Sequence, residues 1–256
     1  MKFALDSNGE RILPTKGMHG RCQLCGSELI SHCGPKIKYH WHHKNKKNCD
    51  HWWENRTDWH LNWQNSFPDH WQEVTLKNSN GEVHRADIKT DEGWIIEFQH
   101  SPIKPEERQA RNDFYQKIIW VVDGNARKND LKQFQDRLDN SSLLYRDPKF
   151  LENFELDECR LADDWHESNA LVFFDFNGAE SDDESFLWFL FPKTSKRAGN
   201  VVRVKRTVFV KWFITNKFSD VVRNSIIPLH NEMLLEAKRM GMMQHNTIKN
   251  SLEYFR

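Results

Sequence analysis

The stretch HRADIKTDEGWIIEFQHSP, residues 84–102, contains two carboxylates whose spacing suits metal-ion chemistry. Asp87 ends one strand-like segment, and Glu97 lies inside the next, two positions before Gln99. Side chains alternate between the two faces of a strand, so Glu97 and Gln99 share a face and Phe98 points to the other. Asp87 falls on the polar face of its own segment. The pattern therefore predicts two neighbouring strands that each carry an acid on one face.

Two adjacent carboxylates repel each other unless a cation compensates their charge. A divalent ion with oxygen ligands, Mg²⁺ or Mn²⁺, would bind between Asp87 and Glu97 and explain why the strand WIIEFQ contains a glutamate. The same pattern is also that of an exposed sheet face with scattered charges. From the residues alone, both interpretations stay open.

A second group of candidate ligands lies in the first fifth of the chain, which contains four of the five cysteines. Cys22 and Cys25 form a CxxC pair, which supplies two thiolates to a tetrahedral zinc ion. Cysteines and histidines that could complete the site are Cys33, His40, His42, His43, Cys49 and His51. We favour His43 and Cys49, with His40 as the nearest alternative. A closed four-ligand site of this kind would be structural, and a redox CxxC pair is the competing interpretation.

The segments around these residues predict an α/β core with a mixed sheet. A helix over 52–67 ends before Pro68, and a helix that starts at Pro105 runs to about Gln116. An antiparallel meander has strands near 71–76, 82–89 and 94–100, and residues 117–124 form a strand buried on both faces.

The rest of the chain predicts an α+β region. We expect a helix over 125–139, strands over 170–176 and 186–191, a long strand or hairpin over 201–214, and a helix from 219 with a kink at Pro228. This gives three parts: a zinc-binding module over 1–51, a core over 52–140, and a C-terminal region over 141–256.

Composition limits the classes of partner. Lys+Arg and Asp+Glu both number 37, so the net charge is zero and no global basic field indicates binding by charge alone. No apolar run is long enough to cross a membrane, and no signal peptide is evident. We therefore expect a soluble, cytoplasmic protein without a membrane partner. The sequence does not indicate an oligomeric state.

The motifs together resemble the PD-(D/E)XK nucleases, and more closely their competence-protein CoiA-like branch. The resemblance rests on CxxCG, HWxHK and CD in the N-terminal segment, then WWEN, WH and W, then ADI and EFQHS. It covers roughly residues 15–124. It implies a restriction-endonuclease-like core and the metal-dependent hydrolysis of DNA.

The resemblance also implies roles for individual residues. Asp87 and Glu97 match the acid pair that holds the catalytic metal, and Glu54 matches the extra acid of the first helix. Gln99 stands where the family most often has lysine, so in this chain the position orients by hydrogen bonds and carries no charge. Weaker matches are His60 as a catalytic residue and Arg111, with Arg108, as ligands of a substrate phosphate.

The leading hypothesis is an Mg²⁺-dependent nuclease that acts on DNA in competence, recombination or phage defence. The alternative is an accessory protein that binds or processes DNA without effective catalysis. A third hypothesis is an HNH-type endonuclease centred on the histidine-rich stretch 40–51, with His42 or His43 essential for cleavage.

Overall fold

The structure is a computed structural model with mixed α/β architecture. It describes residues 1–35, 37–45, 49–52, 57–140, 142–145, 151–156, 158–178, 184–195, 198–239 and 241. The chain forms two compact units, one of Met1–Asn55 with Pro68–Lys89 and one of Arg56–Phe67 with Thr90–Arg256. The predicted three-part division groups the strands near 71–76 and 82–89 with the core, whereas these two units group them with the N-terminal segment.

The first unit contains an antiparallel sheet of five strands in the order β2-β1-β3-β4-β5. The turn between β1 and β2 is closed by Asp6, whose Oδ1 accepts hydrogen bonds from the backbone N–H groups of Asn8 at 2.8 Å and Glu10 at 2.9 Å. The longer strands β4 and β5 form a hairpin that carries four histidines, His32, His40, His42 and His43. The bounds are β1 Ala4–Leu5, β2 Arg11–Ile12, β3 His19–Arg21, β4 Glu28–Gly34 and β5 Ile37–His43.

A second antiparallel pair, β6 (Gln72–Lys77) and β7 (Val83–Lys89), completes the first unit and confirms two of the predicted strands. A 3-10 turn, Asp69–Trp71, precedes it. Burial alternates along β7: every second side chain is buried, and those between are half-buried. Glu73 accepts the backbone N–H of Lys2 at 2.9 and 2.8 Å, which ties β6 to the N-terminus of the five-stranded sheet.

In the second unit, the sheet follows the order β10-β11-β14-β13-β12-β9-β8. Strands β8, β9 and β12 are parallel, and the others pair antiparallel, so the predicted mixed sheet is confirmed. The strands are β8 Ile95–Gln99, β9 Ile118–Asp123, β10 Ser142–Tyr145, β11 Leu151–Glu155, β12 Leu171–Asp175, β13 Phe186–Leu190 and β14 Ala198–Lys205. The helices are α1 Asp58–Asn65, α2 Pro105–Tyr115, α3 Asp130–Asp139, α4 Arg160–His166, α5 Arg206–Ile214, α6 Phe218–Val221 and α7 Ile227–Arg239.

Aromatic side chains join α1 to the face of β8 that bears Phe98. Trp63 stacks on the Phe98 ring with centroids 5.5 Å apart, and Trp59 meets the same ring edge-on at 6.4 Å. Thr57 caps α1 by accepting the backbone N–H of His60 at 3.3 Å. Trp59 and Trp63 are both buried, so the tryptophans of this helix belong to the core.

Two segments differ from the prediction. Residues 201–214 do not continue as one strand, because β14 ends at Lys205 and α5 begins at Arg206. Phe209 and Phe213, one helical turn apart, are both buried, and this packing outweighs the strand preference of the valines. The helix expected from 219 is not α-helical throughout: a π-helical turn, Val222–Ile226, lies between α6 and α7, and Pro228 is the second residue of α7. The kink at Pro228 stays a prediction. Among the described residues, no helix is long and apolar enough to cross a membrane.

The fully buried carboxylate of Asp175 is held by hydrogen-bond donors at the end of β12. Its Oδ2 accepts the indole N–H groups of Trp59 at 2.9 Å and Trp63 at 2.8 Å, and its Oδ1 accepts the backbone N–H of Asn177 at 2.9 Å. A buried carboxylate that accepts several donors is stable, but each donor loses its partner when the carboxylate is removed. Asp175 therefore fixes α1 against the parallel strands.

We expect Asp175→Ala to lower the free energy of unfolding by about 3 kcal/mol or more, because two buried indole N–H groups lose their acceptor. Urea denaturation followed by tryptophan fluorescence measures this change. Asp163→Ala, on the exposed side of α4, is the matched control and should shift it by less than about 0.5 kcal/mol. Equal effects of the two substitutions would contradict the role assigned to Asp175.

Candidate functional site

The CxxC pair forms a tight loop between β3 and β4. Gly26 follows Cys25 with a φ of 69°, a left-handed conformation that favours glycine. The backbone N–H of Gly26 donates to the carbonyl oxygen of Cys22 at 2.9 Å, and the N–H of Leu24 points to the Cys22 Sγ at 3.4 Å. The loop therefore turns backbone donors toward the thiolates, as metal-binding knuckles do.

Four predicted ligands come together in the first unit. The ligand atoms of Cys22, Cys25, His43 and Cys49 all lie within 4.8 Å of one another. The Sγ atoms of Cys22 and Cys49 are 3.6 Å apart, and the Cys25 Sγ is 3.4 Å from the His43 Nε2. This Cys₃His cluster could bind a metal ion such as zinc, and its soft thiolate and imidazole donors fit that ion.

Strand alternation explains why His43 joins the cluster and His40 does not. Along β5, Trp41 and His43 are buried, whereas His42 is exposed. His40 lies on the same face of β5 as His42, and its Nδ1 donates to the carbonyl oxygen of Lys38 at 2.9 Å. Because the apolar Trp41 identifies the buried face of β5, strand alternation alone would have been enough to choose His43 over His40.

The charges around the cluster also suit a bound cation. A hydrogen bond with Cys49 lowers the pKa of Cys22 to about 4, and the same interaction raises the pKa of Cys49. The pair therefore loses one proton readily, and the second thiolate needs a positive charge beside it. Burial lowers the pKa of Arg85, but the negative charges of Glu73 and the cluster outweigh it and raise that pKa above its ordinary value. Arg85 thus provides part of the compensating charge.

The predicted acid pair is divided between the two compact units. Asp87 is half-buried on β7 in the first unit, and Glu97 is buried on β8 in the second. Their joint binding of one ion stays a prediction. Glu97 and Gln99 share the face of β8 that is turned toward α2, as the alternation predicts, since Phe98 contacts α1 on the opposite face.

Within the second unit, the carboxylate of Glu97 has an arginine as its counter-ion. The Arg111 Nη1 lies 3.3 Å from the Glu97 Oε2, and the Arg111 Nη2 lies 2.5 Å from the Glu107 Oε1. Burial lowers the pKa of Arg111, but the charge of Glu97 and the hydrogen bond with Glu107 raise it overall. Arg111 therefore supplies charge compensation that the sequence alone assigned to a metal.

Arg108, the other predicted phosphate ligand, is buried on α2. Its guanidinium donates to the carbonyl oxygen of Asp164 and lies 5.0 Å from the centroid of the Trp165 ring. His60 packs on the Phe98 ring at 5.7 Å, which is the face of β8 opposite to Glu97. The phosphate-binding role of the two arginines and the catalytic role of His60 stay predictions. Glu54 lies outside the described residues.

A groove of about 500 Å³ lies at the carboxyl ends of β8 and β9. Gln99 lines it: its Nε2 donates to the carbonyl oxygen of Ser101 at 2.7 Å, and its buried Oε1 has no hydrogen-bond partner among the described residues. His100 also lines it, and its Nδ1 is 2.8 Å from the Asp123 Oδ2. Ligands of open α/β sheets commonly bind at this edge of parallel strands.

Sequence reasoning did not identify Asp50 and His84 as a pair. The Nδ1 of His84 is 2.9 Å from the Asp50 Oδ1, and both side chains are buried in the first unit. The sequence contained one usable signal. His84 occupies an inward position of β7, in phase with Ala86 and Ile88, where a polar side chain indicates a buried partner.

Comparison with known proteins gives no match: no family model, no curated protein and no solved structure is significantly similar to this chain.

We expect Cys25→Ser to abolish tight metal binding at the Cys₃His cluster, because a hydroxyl replaces one of three thiolates. The measurement is the thiolate-to-cobalt absorption band of chain loaded with Co²⁺, together with the loss of thermal stability on adding a chelator. Cys33→Ser, on β4 and outside the cluster, is the matched control and should keep both signals. An unchanged band in Cys25→Ser would remove this residue from the ligand set.

Proposed function

We propose that this chain is a metal-dependent nuclease that hydrolyses DNA phosphodiester bonds, with a restriction-endonuclease-like core and a structural zinc in its first unit. The proposal assigns Asp87 and Glu97 as ligands of Mg²⁺ or Mn²⁺. When bound, such an ion lowers the pKa of its water and neutralises charge on the phosphate oxygens.

The observation that carries the proposal is the environment of Gln99. Its Oε1 is a buried acceptor without a described partner, beside a groove large enough for a ligand. Buried polar atoms are nearly always hydrogen-bonded, so an acceptor of this kind indicates a ligand or a water that completes the site. An attacking water or a substrate hydroxyl is a donor of the required type.

Glu97 and Arg111 would have different electrostatic roles at this site: Glu97 would bind the cation, and Arg111 would compensate the charge of Glu97. Arg111 keeps a positive charge 3.3 Å from the Glu97 Oε2, so the carboxylate stays ionised although it is buried. An ionised carboxylate is the form that binds a hard cation. The remaining positive charge that phosphodiester hydrolysis requires would come from the metal, because Gln99 is neutral.

The same ion pair favours a second candidate, a DNA-binding accessory protein without turnover. Since Arg111 already compensates Glu97, the carboxylate has a structural role even if no metal binds. Metal-dependent binding of single-stranded, double-stranded or branched DNA, with no product under any condition, would favour this candidate. The HNH-type hypothesis has less support, since the Nε2 of His43 is directed to the Cys₃His cluster.

We expect the purified full chain to cleave DNA on addition of Mg²⁺ or Mn²⁺, and Asp87→Asn and Glu97→Asp to reduce cleavage at least about 100-fold, because each moves or removes a metal ligand. Plasmid and labelled single-stranded substrates measure the rates. Glu97→Asp keeps the charge opposite Arg111, so the fold is preserved for the comparison. Glu106→Gln, exposed on α2, is the control and should cleave at the wild-type rate. Equal rates in all four chains would refute the assignment.

We expect Gln99→Leu to keep the fold and to lower the cleavage rate by about tenfold or more, equivalent to about 1.4 kcal/mol of transition-state stabilisation. Leucine has a similar volume but can neither accept a hydrogen bond nor donate to the Ser101 carbonyl oxygen, so the loss would report on the whole amide group. The readout is the single-turnover rate with saturating metal. A rate within twofold of wild type would show that the Gln99 side chain does not act in the reaction.

A further inference from the structure

A second group of metal-ligand side chains lies in the first unit, outside the Cys₃His cluster. One ligand atom from each of Asp50, His51 and His84 lies within 4.8 Å of the other two. Asp50 and His84 are buried, and His51 is exposed. The group therefore has a buried floor and one side chain at the surface, so that an ion could reach it from solvent.

The contacts of His84 need a positive charge on one side of its ring. Its Nδ1 is 2.9 Å from the Asp50 Oδ1, and its Nε2 is 2.8 Å from the Glu82 Oε1. A neutral imidazole has a single N–H, so it can donate to only one of these two carboxylates. The other contact therefore needs a positive species at the Nδ1, either a second ring proton that donates to Asp50 or a metal ion that binds both atoms.

We propose that Asp50, His51 and His84 bind a second divalent transition-metal ion, such as Zn²⁺ or Co²⁺. The His84 Nε2–H donates to Glu82, and the Nδ1 and the Asp50 Oδ1 are ligands. Two ligand atoms about 2.1 Å from an ion are about 3.0 Å apart in octahedral and about 3.4 Å apart in tetrahedral coordination, so the 2.9 Å between these two atoms is closer to the octahedral value. Two imidazoles and one carboxylate are a common donor set for such ions.

The surroundings of these ligands hold them in place. The Asp50 Oδ2 accepts the backbone N–H of Arg85 at 3.1 Å, and the Oδ1 accepts that of Trp52 at 3.0 Å. The His84 ring is stacked on the Trp52 indole, with centroids 3.3 Å apart and planes 14° apart. A carboxylate that orients a metal-bound histidine through its other nitrogen, as Glu82 does for His84, is usual in metal sites.

This site differs in chemistry from the Cys₃His cluster. Its donors are oxygen and nitrogen, and three protein ligands leave coordination positions for water or a small anion. The inference does not depend on the proposed nuclease, because it uses none of the residues assigned to cleavage.

The test is the number of Co²⁺ ions bound by the full chain, counted by native mass spectrometry with Mg²⁺ in excess, so that the proposed Asp87–Glu97 site holds Mg²⁺ and is not counted. The thiolate-to-cobalt band is a separate report on the Cys₃His cluster. We expect two ions in the wild-type chain and one in both His51→Gln and His84→Gln, with the thiolate band unchanged. Glu82→Gln should keep two sites, with the second about 10- to 100-fold weaker, because a neutral amide oxygen accepts the His84 Nε2–H more weakly than a carboxylate does.

His40→Gln, on β5 and outside both clusters, is the control and should bind two ions. A single ion in the wild-type chain at saturating Co²⁺ would overturn the proposal, as would two equally tight ions in His51→Gln and His84→Gln. If His84→Gln does not fold, His51→Gln decides the outcome alone, since the His51 side chain is exposed and its removal leaves the buried network intact.

Discussion

Buried negative charge is the constraint on which both units depend. Moving a carboxylate or thiolate out of water is costly unless donors or cations replace its hydration. In the second unit, Asp175 is held by two indoles, and Glu97 is held by Arg111. In the first unit, the thiolates of the Cys₃His cluster have Arg85 nearby and a donor set that fits zinc. Each group fixes the elements around it.

Much of this arrangement could be predicted from local pattern. Strand β9, the hairpin of β6 and β7, strand β8 and the helix that starts at Pro105 are each determined by periodicity and turn residues near in sequence. The zinc ligands could be predicted for a related reason. A CxxC pair supplies two of the four ligands of a tetrahedral site. Strand alternation along β5 then selects His43 over its neighbours, although β5 is distant from the CxxC loop in sequence.

The rest depends on contacts between residues far apart in sequence. The sequence pattern over 201–214 predicts a strand, but α5 begins at Arg206. Phe209 and Phe213 are buried by residues distant in sequence, which the local pattern does not reveal. The pairing of Glu97 with Arg111 was equally hidden, because an arginine on an amphipathic helix has the same sequence signature whether it faces solvent or a buried acid. This ion pair matters most for function, because it explains the presence of a buried glutamate on β8 without a metal ion.

We propose that Glu97 binds a hard cation in addition to its ion pair with Arg111. The most direct test is a crystal of the chain soaked in Mn²⁺ and measured for anomalous scattering at the manganese and zinc edges. We predict a manganese peak about 2.0–2.6 Å from the Glu97 carboxylate, with ordered solvent donating to Gln99. A zinc peak at the Cys₃His cluster with no manganese at Glu97, whose carboxylate then contacts Arg111 alone, would contradict the account.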